Sequence, residues 1–302
     1  MSVDVLVAGE LYVDLILSGF DSWPEPGQEA FAREFRREIG GGAAITACGL
    51  AALGTRTGVF GIVGSDHYNW IANRFRERGV DTELLLRHES EPTGFTVAVS
   101  TPRDRAFFTY LGANRDFAAR LARQALPARH LHLGFAPPWN NAGELFHAIH
   151  ASGCTISIDA GWHEDWLADA RALETLRHVD LFFPNETEAA RLTGQTDPDR
   201  MLRRFREAGL PGVALKLGAG GAALLLAGEQ YRANPLNVNV IDTTGAGDCF
   251  DAGFLHAWTH GRAPQDCLRI ANICGALSCE AYGGLAGFPT RPRLEHELER
   301  SS

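Results

Sequence analysis

The stretch DTTGAGDCFDAGF, from Asp242 to Phe254, combines small residues and carboxylates in an order that could do chemistry. Residues Gly245–Gly247 precede an apolar stretch that predicts a helix. At a helix N-terminus such small residues let several backbone N–H groups converge, and the helix dipole favours an anion there. Asp248 lies at the same point, where a carboxylate is useful if it removes a proton from an attacking hydroxyl. The alternative is that Thr244 and Asp248 only cap the helix.

The segment PNETEA, from Pro184 to Ala189, contains a second pair of polar side chains. Asn185 and Glu188 lie three residues apart on a predicted first helical turn, so both side chains can face one point. The segment follows an apolar strand, and open α/β sheets bind ligands at the carboxyl ends of their strands. The alternative is an N-cap asparagine with a capping-box glutamate.

Lys216 is the single lysine among 28 basic residues. One interpretation is a genome rich in arginine codons. The other is that this position needs a compact ammonium, which an arginine fork replaces poorly. Lys216 begins the glycine-rich segment KLGAGGA, which a predicted pair of strands follows. Because no helix follows the glycines, the segment does not fit a dinucleotide-binding fingerprint, and a dehydrogenase is a poor fit.

These candidate residues must be positioned by a larger framework. Strands and helices alternate over most of the chain, which predicts an α/β fold: a three-layer α/β/α sandwich with a mostly parallel central sheet. The predicted core strands are Val3–Gly9, Thr57–Gly64, His130–Gly134, Thr155–Ala160, Asp180–Asn185 and Gly212–Gly218. The last third predicts two long helices, Gly245–His260 and Pro264–Tyr282.

Two early stretches, residues 29–40 and 93–114, alternate with a period of two instead. The turn TPRDR splits the second stretch into a predicted hairpin. Together with a strand within about residues 10–20, they predict a small antiparallel sheet built out of the main domain. A sheet covered on one face leaves an apolar face, so this sheet should act as a lid, as a dimer surface, or as both.

The stretch from Asp242 to Phe254 resembles the C-terminal signature of the ribokinase-like (PfkB-type) carbohydrate kinases, and the similarity runs from Gly9 to Pro289. The resemblance implies one kinase domain over residues 1–302 that transfers phosphate from ATP to a hydroxymethyl group of a sugar or sugar-like molecule. It implies that Asp248 is the catalytic base. The anion hole would be formed by the amides of Gly245, Ala246, Gly247 and Asp248.

The resemblance also implies a nucleotide side of the site. The residues with implied ATP-binding roles are Asn185, Lys216, Gly218, Gly221, Thr243 and Asn272. Asn185 and Glu188 would bind Mg²⁺, largely through water, which fits an ion that keeps several of its waters. Asp242 and the backbone around Gly283 resemble the monovalent-cation loop of the family, which makes K⁺ a candidate cofactor. A homodimer through the lid is a further implication.

On the acceptor side, Asp14 in GELYVD lies where the family has a carboxylate that accepts hydrogen bonds from sugar hydroxyls. Gly40 and Gly41 resemble the glycine pair that lets a sugar approach the backbone. The alternative for Asp14 is an exposed acid in a loop.

Three apolar or aromatic residues depart from the family pattern: Tyr12, Ile45 and Phe135 stand where hydrogen-bonding residues are usual. A buried sugar hydroxyl left unpaired would cost about 1–3 kcal/mol. The acceptor therefore has fewer hydroxyls or an aromatic face, or Arg105 and Asn114 compensate. These departures keep two alternatives open, a nucleoside kinase and a non-catalytic sugar or nucleotide sensor of the same fold.

Composition excludes several other classes of protein. A net charge of −9 argues against nucleic-acid binding. The first residues lack the basic region of a signal peptide, and no segment approaches 18 uncharged apolar residues, so no membrane association is expected. The six cysteines form no CxxC pair and lie in apolar stretches, which favours reduced thiols in a cytoplasmic protein.

Overall fold

The computed structural model describes residues 3–300 apart from residues 22, 24–26, 101–104, 125, 139–141 and 162, and it leaves the side chains of Ser100 and Arg105 undescribed. The strands are β1 (Val3–Gly9), β2 (Tyr12–Ser18), β3 (Glu34–Gly40), β4 (Thr57–Gly64), β5 (Leu85–His88), β6 (Gly94–Ser100), β7 (Arg105–Tyr110), β8 (Ala128–Gly134), β9 (Thr155–Ile158), β10 (Leu181–Phe182), β11 (Gly212–Lys216), β12 (Ala222–Leu226) and β13 (Glu229–Ala233). The helices are α1 (Gly42–Ala52), α2 (Tyr68–Glu77), α3 (Phe117–Leu121), α4 (Ala142–Ala151), α5 (Glu164–Ala168), α6 (Arg171–Leu176), α7 (Glu186–Thr193), α8 (Pro198–Glu207), α9 (Ala246–Thr259), α10 (Pro264–Ser278) and α11 (Arg291–Arg300).

Nine of the described strands form one large sheet in the order β13-β12-β11-β10-β9-β8-β1-β4-β5. The pairs from β11 to β5 are parallel, and only β11–β12 and β12–β13 are antiparallel. The central strands are continuous apolar runs because helices bury them on both faces. The predicted mostly parallel sheet is confirmed, and so are the predicted core strands, with β10 shortened to two residues.

Alternate residues of the central strands enter two separate hydrophobic layers. In β1, Val5 and Val7 pack with residues of α1, α2, α9, α10 and α11. Leu6 and Ala8 pack on the other face, with residues of α3 to α8. This division makes the predicted three-layer sandwich, in which the two last long helices cover the same face as α1. The second of them, α10, ends at Ser278, four residues before the predicted end.

The small sheet has the strand order β3-β2-β6-β7. Its β2–β3 and β6–β7 pairs are antiparallel, as predicted, whereas β2 and β6 pair in parallel because they enter the sheet from the same edge of the main domain. We call these four strands the lid. The strand predicted over residues 29–40 begins only at Glu34, and most of the predicted TPRDR turn lies outside the described residues.

Several strand ends meet at one edge of the large sheet, as the carboxyl ends of parallel strands must. Gly9 at the end of β1 pairs with Gly134 at the end of β8. Asn185, just after β10, forms a bridge with Lys216 at the end of β11. Only two residues connect β1 to the lid strand β2 at this edge, so the lid lies directly above these strand ends.

Candidate active site

The Gly-Ala-Gly turn forms the N-terminus of α9. Gly245 precedes the helix with φ +74°, and a Cβ at this position would lie 2.7 Å from the Cα of Gly284, so only glycine fits. The Ala246 N–H donates to the Thr243 carbonyl at 3.2 Å. The amides of Gly247 and Asp248 follow in the first turn, where N–H groups have no intrahelical acceptor. The turn therefore has the backbone geometry expected for binding an anion.

Asp248 projects from this first turn toward the start of α1. A Cβ built on Gly42 would lie 2.5 Å from Asp248 Oδ1, so the carboxylate lies directly against the backbone of Gly42. Thr46 Oγ1 donates to the Asp248 carbonyl at 3.2 Å, which ties the two helices together. Removal from water raises the pKa of the Asp248 carboxyl to about 7; Asp159 and Glu188 add to this rise, and Lys216 opposes it. Such a group can both accept and release a proton near neutral pH.

Two carboxylates that sequence reasoning missed lie beneath the turn. Lys216 Nζ donates to Asp159 Oδ2 at 2.7 Å and to Asp251 Oδ1 at 3.3 Å. Carboxylate oxygens of Asp159, Asp248 and Asp251 lie within 4.8 Å of one another. Both missed residues left a signal in the sequence. Asp159 follows a buried strand at its carboxyl end, and Asp251 lies three residues after Asp248 on the same helix.

Asn185 and Glu188 form the capping box that was the alternative interpretation of PNETEA. The Asn185 backbone N–H donates to Glu188 Oε2 at 2.9 Å and its side-chain amide to Oε1 at 2.7 Å, while Glu188 N–H donates back to Asn185 Oδ1 at 2.9 Å. Glu188 is 4% exposed. Burial and the nearby Asp159 raise the pKa of its carboxyl to about 7, and Lys216 opposes this rise. The cap thus places a carboxyl of high pKa beside the lysine.

Asp242 connects the start of the motif with a later loop. Its Oδ1 accepts hydrogen bonds from the N–H and hydroxyl of Thr244, at 3.0 and 2.7 Å. Its Oδ2 accepts from the Gly283 N–H at 2.8 Å. This carboxylate therefore fixes the approach to Gly245 relative to the loop that packs against it.

The predicted nucleotide-side residues come together in two groups. Gly218 begins a 3₁₀ turn after β11, and Gly221 ends it with φ +85°; a Cβ on Gly221 would lie 2.2 Å from the Ala233 carbonyl. Asn272 on α10 donates to the Asn234 carbonyl at 2.5 Å, beside that turn. Thr243 is exposed and lies next to the turn that begins α9.

The predicted acceptor residues Asp14, Gly40 and Gly41 do adjoin one another. Gly40 pairs with β2, and a Cβ there would lie 1.9 Å from Asp14 Oδ1. Gly41 has φ +95°, and a Cβ there would lie 2.3 Å from the Glu10 carbonyl. Burial, with a contribution from Glu38, raises the pKa of the Asp14 carboxyl to about 7. Asp14 is therefore a half-buried strand residue rather than an exposed loop acid.

The run Gly40–Gly42 separates the two key carboxylates. Asp14 lies against its first glycine and Asp248 against its third. Since the first and third glycines are only two Cα–Cα steps of about 3.8 Å apart, the two carboxylates lie within the span of one small molecule. Sequence reasoning identified the first two glycines and missed the role of the third.

A pocket of about 340 Å³ opens between the lid strands, including Asp14 on β2, and the loop after α10. Its apolar lining includes Ile16, Ile39, Ile45, Ala98, Phe107 and Leu285. Sequence reasoning missed Phe107 and Tyr282, which line its outer part and are 50% and 54% exposed. The guanidinium of Arg36 lies 5.9 Å from the Tyr282 ring centroid, so the lid and the loop after α10 approach each other across the pocket.

Of the three departures from the family pattern, only Ile45 lines this pocket. The Tyr12 ring is buried, and its hydroxyl donates to Glu10 Oε2. Phe135 lies in the hydrophobic layer of α3 to α8, with its ring centroid 4.7 Å from that of Phe117. The side chains of Tyr12 and Phe135 lie in the core, so the three residues do not line one side of the pocket together.

The two residues expected to compensate have different outcomes. The side chain of Asn114 is 3% exposed and bonds the backbone of Leu11 in both directions, at 3.0 and 2.9 Å. It supports the chain between β1 and β2 and is not available to a sugar hydroxyl. Arg105 starts β7 opposite Ser100, but its side chain lies outside the described part of the structure.

Over residues 3–291 the sequence matches the profile described as pfkB family carbohydrate kinase. The chain belongs to the pfkB family. The resemblance drawn from DTTGAGD is thus confirmed, and the protein is a kinase. No helix among the residues that the structure describes is long and apolar enough to cross a membrane.

Relatives of this pfkB-family kinase differ in their acceptors. The chain is 30% identical over 280 residues to a 2-dehydro-3-deoxygluconokinase of Bacillus subtilis, covering 86% of each chain. It is 29% identical over 296 residues to a nucleoside kinase of Methanothermobacter thermautotrophicus, covering 95% of this chain and 92% of the relative. The structure of Arabidopsis thaliana ribokinase complexed with ribose and ATP has a TM-score of 0.84 at 26% identity and covers 99% of both chains.

The residues of the pfkB-family kinase on the nucleotide side fit a magnesium ion bound through water. Both carboxylate oxygens of Glu188 already accept hydrogen bonds from Asn185, so the pair offers partly satisfied oxygen atoms. Magnesium suits such a site because it keeps several waters and needs few direct protein ligands. Both Asp242 oxygens also accept hydrogen bonds from the protein, and a role for K⁺ there stays a prediction.

Proposed function

We propose that residues 1–302 form one ATP-dependent kinase domain that phosphorylates a hydroxymethyl group of a sugar or sugar-like molecule, with Asp248 as catalytic base. The observation that carries this proposal is the position of Asp248. It combines an anion-binding helix N-terminus with a carboxyl whose pKa is about 7, one glycine run away from Asp14. Capping alone would not require a side chain buried at such a cost.

In the proposed reaction, Asp14 accepts a hydrogen bond from the acceptor and orients it over Gly40–Gly42. An Asp248 oxygen takes the proton of the attacking hydroxyl while the hydroxyl oxygen forms its bond to the γ-phosphorus of ATP. The bond from that phosphorus to the β–γ bridging oxygen breaks at the same time, which releases ADP. The amides of the Gly245–Gly247 turn and of Asp248 stabilise negative charge on the transferred phosphoryl group. Magnesium held through water by Asn185 and Glu188 would neutralise phosphate charge. The lid excludes water, which would otherwise compete as acceptor.

A nucleoside acceptor is the second candidate. Two aromatic side chains favour it: Phe107 on the lid and Tyr282 on the loop after α10 line the outer part of the pocket and are half-exposed. A planar base could stack on such rings. The polar side chains of the pocket bind largely to one another, as Glu38 does to Arg74 and Arg78. Few of them are therefore left to match a fully hydroxylated hexose.

The test is ADP release measured with a panel of pentoses, hexoses, keto-deoxy acids and nucleosides in the presence of Mg²⁺, with and without K⁺. Asp248→Asn serves as the control variant. We expect one acceptor class to stimulate ADP release, and Asp248→Asn to lose nearly all turnover while it still binds nucleotide. More than a few per cent of the wild-type rate in Asp248→Asn would refute its role as base. Saturable ligand binding without ADP formation across the panel would favour the sensor alternative.

We also propose that the kinase forms a homodimer through the outer face of the lid. Phe35 on β3 and Phe108 on β7 are 62% and 59% exposed, and Trp23 stacks on Phe108 with centroids 6.4 Å apart. Exposed aromatic side chains at both edges of one sheet face are typical of a protein interface.

A further inference from the structure

We propose that Asp159 and Asp251 hold the Lys216 ammonium beneath Gly247, so that the chain supplies its own fixed cation to the anion hole. The proposal rests on the proposed function, since it assigns a charge to the site of phosphoryl transfer. Asp159 and Asp251 are positioning residues in this arrangement, because they act through Lys216.

The Lys216 ammonium lies beside the backbone of Gly247. A Cβ built on Gly247 would lie 3.3 Å from Lys216 Nζ, and the Cδ and Cε of the lysine would lie 3.8 Å from it. The lysine side chain therefore runs along the backbone of the turn that precedes Asp248. Its ammonium reaches the one point where the α9 N-terminus already has a positive partial charge.

Lys216 is held both by its backbone N–H and by its ammonium. Its backbone N–H donates to the Pro184 carbonyl at 2.9 Å, which fixes β11 against the end of β10. Its ammonium binds Asp159 and Asp251 at 2.7 and 3.3 Å. The side chain is 11% exposed. A lysine fixed in this way keeps its charge in one position without further ordering during the reaction, which is the property of an effective electrostatic group.

Lys216 also provides the positive charge that the neighbouring carboxylates need. Asp251 is fully buried, and a buried carboxylate without a cation costs several kcal/mol as an order of magnitude. Burial raises the pKa of the Asp251 carboxyl well above its usual range, and Lys216, whose ammonium lies 3.3 Å from Asp251 Oδ1, opposes that rise. The spacing of Asp159, Asp248 and Asp251 would also suit a metal ion. The ammonium already lies among these carboxylates, so the cluster has a cation of its own.

The contacts of Lys216 explain why this position holds a lysine in a chain with 27 arginines among its 28 basic residues. Two carboxylates, one just after β9 and one on α9, converge on a single nitrogen beneath a glycine. A compact ammonium with three donors can satisfy that geometry, whereas a planar guanidinium would need room on both sides. An arginine at this position would therefore lose part of these contacts.

Metabolic labelling with ¹³C,¹⁵N-lysine tests the geometry without turnover, because the protein gives a single lysine side-chain signal set. We expect the Lys216 Cε and Nζ signals to shift in Asp159→Asn and in Asp251→Asn, and to shift on addition of ADP with Mg²⁺. Asp4→Asn is the matched control, since it removes a carboxylate paired with Arg56 at the opposite end of β1. Unchanged signals in both test variants would refute the ion triad, whatever the enzyme's activity.

Kinetics test the effect on the reaction. We expect Lys216→Met to lower kcat by about 10²–10³, the range seen when one oxyanion-stabilising group is removed, with KM for the acceptor changed less than threefold. Lys216→Arg should recover part of the loss. In Lys216→Ala, propylammonium should restore activity, while propanol of similar size should not. A Lys216→Met enzyme with kcat within threefold of wild type, or equal effects of propylammonium and propanol on Lys216→Ala, would overturn the proposal.

Discussion

Single residues in this site differ in charge state because of their neighbours rather than their type. Asp159 is buried, which opposes ionisation, yet Lys216 lowers the pKa of its carboxyl to about 2. Asp248 is also removed from water, and the ionised Asp159 helps to raise the pKa of Asp248 to about 7. Two carboxyls within 4.8 Å thus take opposite roles. Asp159 stays a charged anchor, and Asp248 is free to exchange a proton.

These values predict the pH dependence of the reaction. As a base, Asp248 must be ionised, and its carboxyl is protonated below a pKa of about 7. We therefore expect kcat/KM for the acceptor to fall about tenfold for each unit of pH below about 6 and to level off above about 8. If the acceptor also requires ionised Asp14, whose pKa is also about 7, the fall steepens toward about a hundredfold per unit of pH. Initial rates between pH 5 and 9 measure the effect, and a flat profile from pH 5 to 8 would contradict it.

The Gly245–Asp248 turn could be found in the sequence more readily than the residues that support it. Asp248 and the Gly245–Gly247 turn could be identified because a local motif defines them. Asp159 and Asp251 could not be assigned, since their role depends on contacts with Lys216 across three elements. Long-range contacts of this kind are set by the fold as a whole, which a local pattern does not contain.

At the scale of elements, the start of α1 decides how closely the lid and α9 approach. Gly41 and Gly42 place the α1 N-terminus against Glu10 of the β1–β2 connection and against Asp248 of α9. Helix α1 is apolar and buried along most of its length, so it has little freedom to move away. The distance between Asp14 and Asp248 is therefore set by the glycines that precede and begin α1.

This arrangement predicts a large effect of Gly42→Ala. The added Cβ would lie 2.5 Å from Asp248 Oδ1 and must displace that carboxylate. We expect kcat to fall by about 10²-fold, as a displacement of about 1 Å costs in a well-aligned site, while ADP binding is kept. Gly143→Ala on α4 is the matched control, because a Cβ there meets no atom within 4 Å. Equal activity of the two variants would show that the Gly42 contact does not position Asp248.

Strands with a strong alternating pattern were predicted well. The sequence predicted less well whether an aromatic side chain lies in the core or in the pocket. The alternating pattern of β2, β3, β6 and β7 identified the lid, although one pair is parallel. The same pattern could not tell that Phe135 packs on Phe117 while Phe107 lines the pocket. Phe107 lies on β7 and Phe135 just after β8, and only the packing of neighbouring elements separates them.

At the scale of the whole molecule, the lid has two faces with different properties. The inner face contributes Asp14, Ile16 and Arg36 to the pocket. By the alternation of the strands, Phe35 and Phe108 lie on the outer face. A second copy of the chain covering the outer face would also stiffen the inner one, so association and acceptor binding would be linked through the same four strands.

The proposed dimer predicts the effect of a charge on the outer face. Phe35→Glu should weaken the dimer at least tenfold, because a buried carboxylate at an apolar interface lacks a partner. Val240→Glu is the control, since Val240 is similarly exposed, 59% against 62%, and lies away from the lid strands. Light scattering after size exclusion measures the mass of each variant. A wild-type protein that is monomeric at micromolar concentration, or a Phe35→Glu dimer of unchanged affinity, would refute this interface.

The position of the only lysine has a consequence for proteolysis. A protease that cleaves after lysine has one target bond, between Lys216 and Leu217, and that bond lies at the end of a central strand with the side chain 11% exposed. In the folded protein the bond is protected, so cleavage into two fragments requires β11 to leave the sheet. The rate of that single cut therefore counts openings of the sheet core, and a ligand that binds beside Lys216 should slow it.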